Sequence, residues 1–274
     1  MIKVAVTGAS GFIGRHVINE LNSQGVEIVA LARRDSTDLP IINNGKWVYF
    51  DISQPPIDAY EIMGEPDVLI HLAWQGLPNY KSLHHIETEL PIQYSFLKQL
   101  VLHGLKSLVV TGTCFEYGMQ YGALSRDTET RPNNPYGFAK DSLRKQLHYL
   151  QATQPFNLIW ARLFYIFGEG QSESSLLPQL RKAVNLGQSE FNMSGGEQLR
   201  DYLPVTEVAH QIVMLALEQQ NLGSINICSG IPQSVRSLVE GWIKENQWNI
   251  KLNLGYHPYP DYEPMAFWGN SNEK

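Results

Sequence analysis

The sequence predicts an α/β protein built on a doubly wound parallel sheet, with a smaller C-terminal lobe. Two observations predict this architecture. Short apolar runs alternate with helical patterns over the first 168 residues, and such alternation is typical of parallel strands joined by crossover helices. The later part of the chain instead breaks into short segments interrupted by glycine and proline, which indicates a loop-rich lobe.

The predicted strands are short and apolar, as expected for strands covered on both faces. They span residues 2–6, 26–32, 47–50, 68–72, 107–111, 158–164 and 225–227. Apolar residues at helical spacing predict helices over 12–21, 83–102, 136–150 and 205–217. The last helix and strand suggest that the chain returns to the main sheet after residue 202.

Composition narrows the classes of partner. Of 274 residues, 21 are Lys or Arg and 27 are Asp or Glu, a net charge of −6. This balance provides no broad positive field, so nucleic acid is not expected as a partner. Cys114 and Cys228 are the two cysteines, and they form neither a disulfide framework nor a metal-site pattern. We find no signal-peptide core and no run near ~18 apolar residues, so we expect a soluble cytoplasmic protein without a membrane partner.

A glycine-rich loop joins the first strand to the first helix. Gly8, Gly11 and Gly14 recur every third residue in Thr-Gly-Ala-Ser-Gly-Phe-Ile-Gly. Such a turn lets backbone N–H groups at a helix N-terminus approach a pyrophosphate. An ordinary glycine-rich turn is the alternative, but its place at the first strand-to-helix turn favours dinucleotide binding. The predicted cofactor contacts here are Gly8, Ser10, Gly11, Phe12, Ile13 and Gly14.

The spacing Thr-Gly-x-x-Gly-x-x-Gly resembles the extended short-chain dehydrogenase/reductase family. Asp51-Ile52 resembles its adenine-contacting segment, and residues 67–73 resemble the strand whose end passes beneath the cofactor. His71 within that strand is interpreted as a core residue. The resemblance implies a Rossmann-like fold, with 1–168 as the dinucleotide-binding domain, rejoined by about 203–228, and with 169–202 and 229–274 as the substrate-binding lobe. It also implies cofactor contacts from Asp51, Ile52, Leu72, Ala73, Trp74, Thr111 and Leu163.

The residues at the end of the second strand indicate which nicotinamide cofactor the protein uses. An acidic residue there binds the ribose hydroxyls of NAD, whereas arginine accommodates the 2′-phosphate of NADP. This chain has Ala32 at that position, followed by Arg33 and Arg34, with Arg15 after the glycine loop. The alternative is a solvated arginine pair. We therefore predict NADP (NADPH) as the preferred cofactor, with NAD possible.

Two Tyr-x-x-x-Lys pairs occur, and this spacing places both side chains on one helix face. Tyr94 and Lys98 lie among apolar residues and are interpreted as packing and surface groups. Tyr136 and Lys140 follow a proline-rich turn beyond the fifth strand, at the edge where doubly wound sheets bind ligands. The segment Pro-Tyr-Gly-Phe-Ala-Lys also resembles the Pro-Tyr-x-x-x-Lys segment of the family. The resemblance implies that both residues are catalytic and also contact the cofactor.

The same resemblance provides a third catalytic residue. Counting back from Gly118, Thr113 occupies the Ser/Thr position of the family, and Thr111 is then expected to end the strand. A threonine at a strand end is otherwise commonly a turn former. The predicted catalytic residues are therefore Thr113, Tyr136 and Lys140.

The substrate contacts rest on two further segments that resemble the family, residues 161–165 and 198–202. In relatives that act on nucleotide sugars, the arginine of the second segment holds the diphosphate. The resemblance therefore implies this role for Arg200, and a forked, permanently charged side chain suits it. A surface hairpin arginine is the alternative. The predicted substrate contacts are Thr113, Phe115, Tyr165 and Arg200.

Two departures from the family pattern limit the reaction. Relatives that dehydrate sugars carry Asp and Glu after the threonine, whereas this chain has Cys114 and Phe115, so dehydration is disfavoured. The asparagine that often completes the site aligns near Glu89. We predict an NADPH-dependent reductase of a nucleotide-linked 4-keto-6-deoxyhexose, acting as a homodimer. The alternatives are a nucleotide-sugar epimerase with retained NAD and a non-catalytic dinucleotide-binding protein.

Overall fold

A computed structural model of the chain describes residues 1–33 and 38–271. The strands in the described residues are β1 (Lys3–Thr7), β2 (Glu27–Ala32), β3 (Gly45–Tyr49), β4 (Val68–His71), β5 (Ser107–Thr113), β6 (Gly122–Leu124), β7 (Asn157–Leu163), β8 (Tyr165–Phe167), β9 (Glu190–Asn192), β10 (Leu199–Arg200), β11 (Tyr202–Pro204), β12 (Gly223–Ile227), β13 (Gln233–Ser234), β14 (Lys251–Asn253) and β15 (Phe267–Gly269). The α-helices there are α1 (Phe12–Asn22), α2 (Ala59–Ile62), α3 (Leu90–Leu102), α4 (Pro135–Gln151), α5 (Leu176–Asn185), α6 (Val205–Glu218) and α7 (Val235–Glu245).

Seven strands form one parallel sheet in the order β12-β7-β5-β4-β1-β2-β3. The doubly wound parallel sheet predicted from sequence is therefore confirmed, and the predicted late strand joins it as β12 beside β7. From β1 the chain first adds strands on one side, β2 and β3, and then on the other, β4 onward. The order reverses between β1 and β4, where such sheets bind ligands beyond the carboxyl ends of their strands.

Helices cover both faces of this sheet. On one face α1 and α6 pack against the sheet, with Val17, Ile18 and Ile212 fully buried. On the other face α3 and α4 bury Phe96 and Leu143 in a second cluster. Burial on both faces explains why the strands are apolar throughout rather than alternating.

The second lobe has its own apolar core, formed mainly by α5, α7 and two short strands. Leu180, Val239 and Trp242 are buried in it. Four two-stranded ladders, β10-β13, β11-β8, β14-β9 and β15-β6, complete the described strands. In the part of the chain that the structure describes, no helix has both the length and the apolar character needed to cross a membrane.

Two differences from the predicted boundaries bear on the site. Strand β5 ends at Thr113 rather than at Thr111, because its pairing with β7 continues to the pair Thr113 and Leu163. The helix predicted over 83–102 begins as a π-helix, His85–Glu89, which leads directly into α3. Pro91 has no N–H to continue the α-helical hydrogen bonds at this point, and π-turns are frequent at functional sites.

Candidate active site

The glycine loop follows β1 and ends in the first turn of α1. Gly8 has a φ of +67°, and a Cβ there would lie 2.9 Å from the backbone nitrogen of Ala73. A Cβ on Gly14 would overlap the carbonyl oxygen of Gly8. Gly11 precedes α1, and no side chain accepts a hydrogen bond at this N-cap. The loop therefore requires glycine for its own packing, and it fits the diphosphate of a dinucleotide held at a helix N-terminus.

The residues predicted to contact the adenosine end of the dinucleotide lie beyond β2 and β3. Arg33 directly follows β2 and is exposed. Hydrogen bonds from the backbone and side chain of Ser53 lower the pKa of Asp51, and the positive charge of Arg33 adds to this effect. Arg15 is instead paired with Asp38, at 3.0 Å. Arg33 is thus the cation that lies beside Asp51 at the end of β2, while Arg34 lies outside the described residues.

The end of β4 lies against the glycine loop. His71 Nδ1 is 2.8 Å from Thr7 Oγ1, and its Nε2 is 2.6 Å from Gln93 Oε1. Burial lowers the pKa of His71 to about 3, so the ring is neutral and serves as a core residue. The N–H groups of Leu72 and Ala73 donate to Thr7 Oγ1 at 3.2 and 3.4 Å.

The other predicted cofactor contacts flank the same edge of the sheet. Thr111 lies within β5, and its backbone is fixed by pairing with Ala161. The remaining predicted positions are Ser10 just before α1, Phe12 and Ile13 in the first turn of α1, Ile52 beyond β3, Trp74 beyond β4, and Leu163 at the last position of β7.

Helix α4 begins where its sequence places strong start signals. Asn134 caps the helix, accepting a hydrogen bond from the Gly137 N–H at 2.9 Å, and Pro135 occupies the first turn. Both features favour a helix N-terminus. The Tyr136 N–H donates to the carbonyl oxygen of Tyr80 at 3.1 Å. The cap and this bond fix the backbone of Tyr136 beyond the end of β5.

Thr113, Tyr136 and Lys140 lie together in this region. The Thr113 hydroxyl accepts a hydrogen bond from the Phe115 N–H at 3.3 Å, and it lies close enough to the Tyr136 phenol to oppose the rise in the pKa of that phenol. One turn along α4, Lys140 Nζ donates to the Thr111 carbonyl oxygen at 2.8 Å and lies 4.0 Å from the centroid of the Trp74 ring. All three predicted catalytic side chains are buried. The structure thus places a phenol, a hydroxyl and an amine side by side at the edge of the sheet.

Burial governs the protonation of this group. It raises the pKa of Tyr136, although the nearby Thr113 hydroxyl acts in the opposite direction. It lowers the pKa of Lys140 to about 7, against the attraction of nearby carboxylates. It also raises the pKa of the Cys114 thiol. Tyr136 is therefore protonated at neutral pH, as a proton donor must be, and Cys114 is an inert thiol.

Five aromatic side chains form what we call the aromatic wall: four contact the ring of Tyr136, and the fifth packs on two of those four. Trp74, Tyr80, His85 and Phe115 have ring centroids between 5.2 and 6.3 Å from that of Tyr136. Tyr262 packs on Tyr80 and Phe115, each at 6.1 Å. Sequence reasoning singled out Trp74 and Phe115 but missed Tyr80, His85 and Tyr262. Tyr80 and Tyr262 lie in loops without a periodic pattern, and His85 is the first residue of the π-helix.

A buried carboxylate beneath Thr113 was also missed. Glu116 accepts hydrogen bonds from the Thr113 N–H at 2.8 Å and from Trp160 Nε1 at 2.9 Å, and it pairs with Arg162 Nε at 2.7 Å. A Cβ at Gly112 would collide with Glu116 and Trp160. The signal was present, because Thr113 and Glu116 have the spacing of a capping box and form one. This network fixes the backbone that carries the Thr113 hydroxyl.

Arg200, predicted to hold a diphosphate, is 2% exposed rather than lying on a surface hairpin. Its Nε and Nη2 donate to Glu263 at 3.1 and 2.8 Å, and Nε also approaches the Tyr165 hydroxyl at 3.2 Å. Nη1 donates to the carbonyl oxygens of Leu199 and Met265, at 2.8 and 3.4 Å. The structure therefore brings Arg200 and Tyr165 together, as predicted contacts of one substrate should be, but with a carboxylate already on the arginine.

Glu89 lies at the end of the π-helix and is buried. Its carboxylate accepts hydrogen bonds from Gln93 Nε2 at 2.8 Å and from the Gln75 N–H at 3.0 Å, and it lies 3.3 Å from His84 Nε2. These bonds tie the segment beyond β4 to the helix that follows.

Comparisons with known proteins identify the family of this chain. The sequence profile of the NAD dependent epimerase/dehydratase family matches residues 4–228. A dTDP-6-deoxy-L-talose 4-dehydrogenase (NAD(+)) from Aggregatibacter actinomycetemcomitans is 31% identical over 270 residues, covering 98% of this chain and 99% of that protein. A UDP-glucose 4-epimerase from Halalkalibacterium halodurans is 25% identical over 261 residues, covering 86% of this chain and 78% of that protein.

A solved structure, MoeE5 in complex with UDP-glucuronic acid and NAD, is 25% identical and has a TM-score of 0.80, covering 98% of this chain and 90% of that one. Profile, relatives and fold agree with the resemblance drawn from the glycine loop and the Pro-Tyr-x-x-x-Lys segment. The chain belongs to the NAD dependent epimerase/dehydratase family and is an NAD(P)-dependent enzyme of the extended short-chain dehydrogenase/reductase type.

Proposed function

We propose that the protein reduces a nucleotide-linked 4-keto-6-deoxyhexose to the 4-hydroxy sugar with NADPH. The observation that carries this proposal is the buried Tyr136 phenol, which lies beside the Thr113 hydroxyl and one helical turn from Lys140. A neutral phenol beside a hydroxyl donor can polarise a carbonyl oxygen and protonate it. The bound dinucleotide supplies hydride to the carbonyl carbon.

Tyr136 is the proton donor in this proposal. Its raised pKa keeps the proton in place until negative charge develops on the substrate oxygen, and Thr113 orients the same oxygen. Positioned general acid catalysis of this kind contributes roughly 10²–10⁴-fold. The pKa of Lys140 is about 7, so its amine is protonated in part of the molecules at neutral pH. In that form it stabilises the phenolate that remains after the proton has left.

The side chains after Thr113 favour reduction over dehydration. Phe115 cannot transfer a proton, and the raised pKa of Cys114 makes its thiol a poor acid and a poor base at neutral pH. The relative from A. actinomycetemcomitans is a 4-dehydrogenase of a dTDP-6-deoxy sugar. Oxidation of a C4 alcohol is the reverse of reduction of a C4 ketone, so the same set of side chains serves both directions.

Arg33 supports NADP as the cofactor. It lies exposed directly after β2, and the preceding residue, Ala32, is apolar at the position where an acidic residue would bind the ribose hydroxyls of NAD. A guanidinium meets a phosphate with charge-assisted hydrogen bonds. The relative named for NAD(+) shows that the family also uses the other dinucleotide, so the proposed preference must be measured on this chain.

Turnover with defined substrates tests the reaction. We expect purified protein to oxidise NADPH in the presence of at least one dTDP-, GDP-, UDP- or CDP-linked 4-keto-6-deoxyhexose. Tyr136→Phe should abolish turnover but retain NADPH binding, whereas the matched change Tyr94→Phe, in the second Tyr-x-x-x-Lys pair, should leave turnover intact. If wild-type protein oxidises NADPH with none of these sugars, the proposal is wrong.

A nucleotide-sugar epimerase is the second candidate, and the 25% identical UDP-glucose 4-epimerase favours it. Such an enzyme oxidises and then reduces its sugar on the same retained dinucleotide. Mass spectrometry of the dinucleotide released from protein as purified separates the two candidates. Tightly bound NAD, together with sugar isomerisation but no NADPH consumption, would identify an epimerase.

A further inference from the structure

A C-terminal segment that we call the strap, residues 258–266, lies over the candidate site. The Tyr262 ring packs on the aromatic wall, and its carbonyl oxygen accepts a hydrogen bond from Asn133 Nδ2 at 3.2 Å. On either side of Tyr262, Asp261 pairs with Lys81 at 2.9 Å and Glu263 pairs with Arg200 at 2.8 Å. The strap is therefore held by three contacts: one ion pair to Lys81, one ion pair to Arg200, and the packing of the Tyr262 ring on the aromatic wall.

Arg200 has almost no capacity left for another ligand. A guanidinium has five N–H donors, and the contacts to Glu263, Tyr165 and the two carbonyl oxygens described above engage four of them. The side chain of Arg200 is 2% exposed and that of Glu263 is 9% exposed. A diphosphate cannot reach the fork of Arg200 while Glu263 occupies it, and the two would also repel each other.

We propose that Glu263 is a specificity-determining residue of the substrate pocket, acting as a counter-ion that the diphosphate of the substrate displaces from Arg200. The inference rests on the proposed function, because it assumes a nucleotide-sugar substrate. A diphosphate carries two negative charges and can accept two hydrogen bonds from the guanidinium of Arg200, so it can replace the Glu263 carboxylate there. A nucleoside without phosphate offers none, so it leaves the Glu263 and Arg200 pair in place.

Calorimetric titration of the full chain with UDP, dTDP and inorganic pyrophosphate tests this inference. Glu263→Gln should tighten binding of the diphosphates about ten- to hundredfold, since it removes a competing charge-assisted bond. Uridine and thymidine should bind the variant and the wild type equally. The matched control is Glu197→Gln, which removes the negative charge from the acceptor of the Tyr259 hydroxyl, at 2.7 Å, without changing the partners of Arg200.

Hydrogen exchange on the wild-type protein provides a second measurement, which decides the matter if Glu263→Gln does not fold. UDP or dTDP should speed exchange in the strap as Glu263 leaves Arg200. Unchanged or weaker diphosphate binding by a folded variant, or slower exchange in the strap, would overturn the inference. If neither wild type nor variant binds any nucleoside diphosphate, the proposed function falls along with it.

Discussion

The buried amine of Lys140 makes a prediction about stability as well as activity. Its pKa is about 7, against an ordinary value of 10.5. Between these values the unfolded chain binds a proton that the folded protein does not, so the free energy of unfolding must rise with pH across this window. The shift amounts to a destabilisation of about 4 kcal/mol at pH 7 and about 2 kcal/mol at pH 9.

Lys140→Met removes this effect. The variant loses the hydrogen bond to the Thr111 carbonyl oxygen, about 1 kcal/mol, and it is inactive in the proposed reaction. We therefore expect it to be more stable than wild type by about 3 kcal/mol at pH 7 and by about 1 kcal/mol at pH 9. Urea unfolding at both pH values measures the difference, in the absence of dinucleotide.

The matched control is Lys98→Met in the second Tyr-x-x-x-Lys pair. Lys98 is exposed, with Nζ 5.9 Å from the Tyr94 ring, and its replacement should change stability by less than about 0.5 kcal/mol at either pH. If Lys140→Met is less stable than wild type at pH 7, or if its gain does not shrink towards pH 9, the account of the buried amine is wrong.

Three further predictions concern the cofactor, the network beneath Thr113 and assembly. Arg33→Ala should raise the KM for NADPH about ten- to hundredfold and leave the KM for NADH nearly unchanged. The control Arg236→Ala, on α7, should alter neither KM. An unchanged preference for NADPH in Arg33→Ala would remove the support for NADP. Glu116→Gln should lower the free energy of unfolding by about 3 kcal/mol, because it breaks a buried ion pair, while Glu207→Gln on the surface of α6 should cost less than about 0.5 kcal/mol. Light scattering should show a homodimer, and Tyr149→Glu on the exposed face of α4 should shift it towards monomer; a wild-type monomer at working concentration contradicts this expectation.

Local patterns were sufficient to predict the sheet and the loop that begins it. The glycine spacing, the apolar strands and the start signals of α4 are short-range features, and each depends on neighbours within a few residues in sequence. Residues such as Gly8 and Tyr136 were identified because their chemistry and their place at a strand or helix end coincide. The boundary at Thr113 was missed because it depends on pairing with β7, which local sequence does not show.

The surroundings of the site depend on contacts between distant segments. Glu263 lies 63 positions from Arg200, and Trp160 lies 44 positions from Glu116. Neither partner belongs to a periodic pattern, and Tyr262 lies in a proline-punctuated segment that reads as loop. The sequence therefore indicated Arg200 as an anion-binding donor but could not show that a carboxylate of the same chain occupies it.

Transfer of isotope from cofactor to sugar tests the central claim most directly. With NADPH that carries two deuterium atoms at C4 of the nicotinamide, and with a nucleotide-linked 4-keto-6-deoxyhexose, the product should carry one deuterium at C4 of the sugar, whichever face of the nicotinamide transfers the hydride. The label should be absent with Tyr136→Phe. A sugar product formed by wild-type protein without deuterium at C4, or formed without NADPH oxidation, would contradict the proposed reduction.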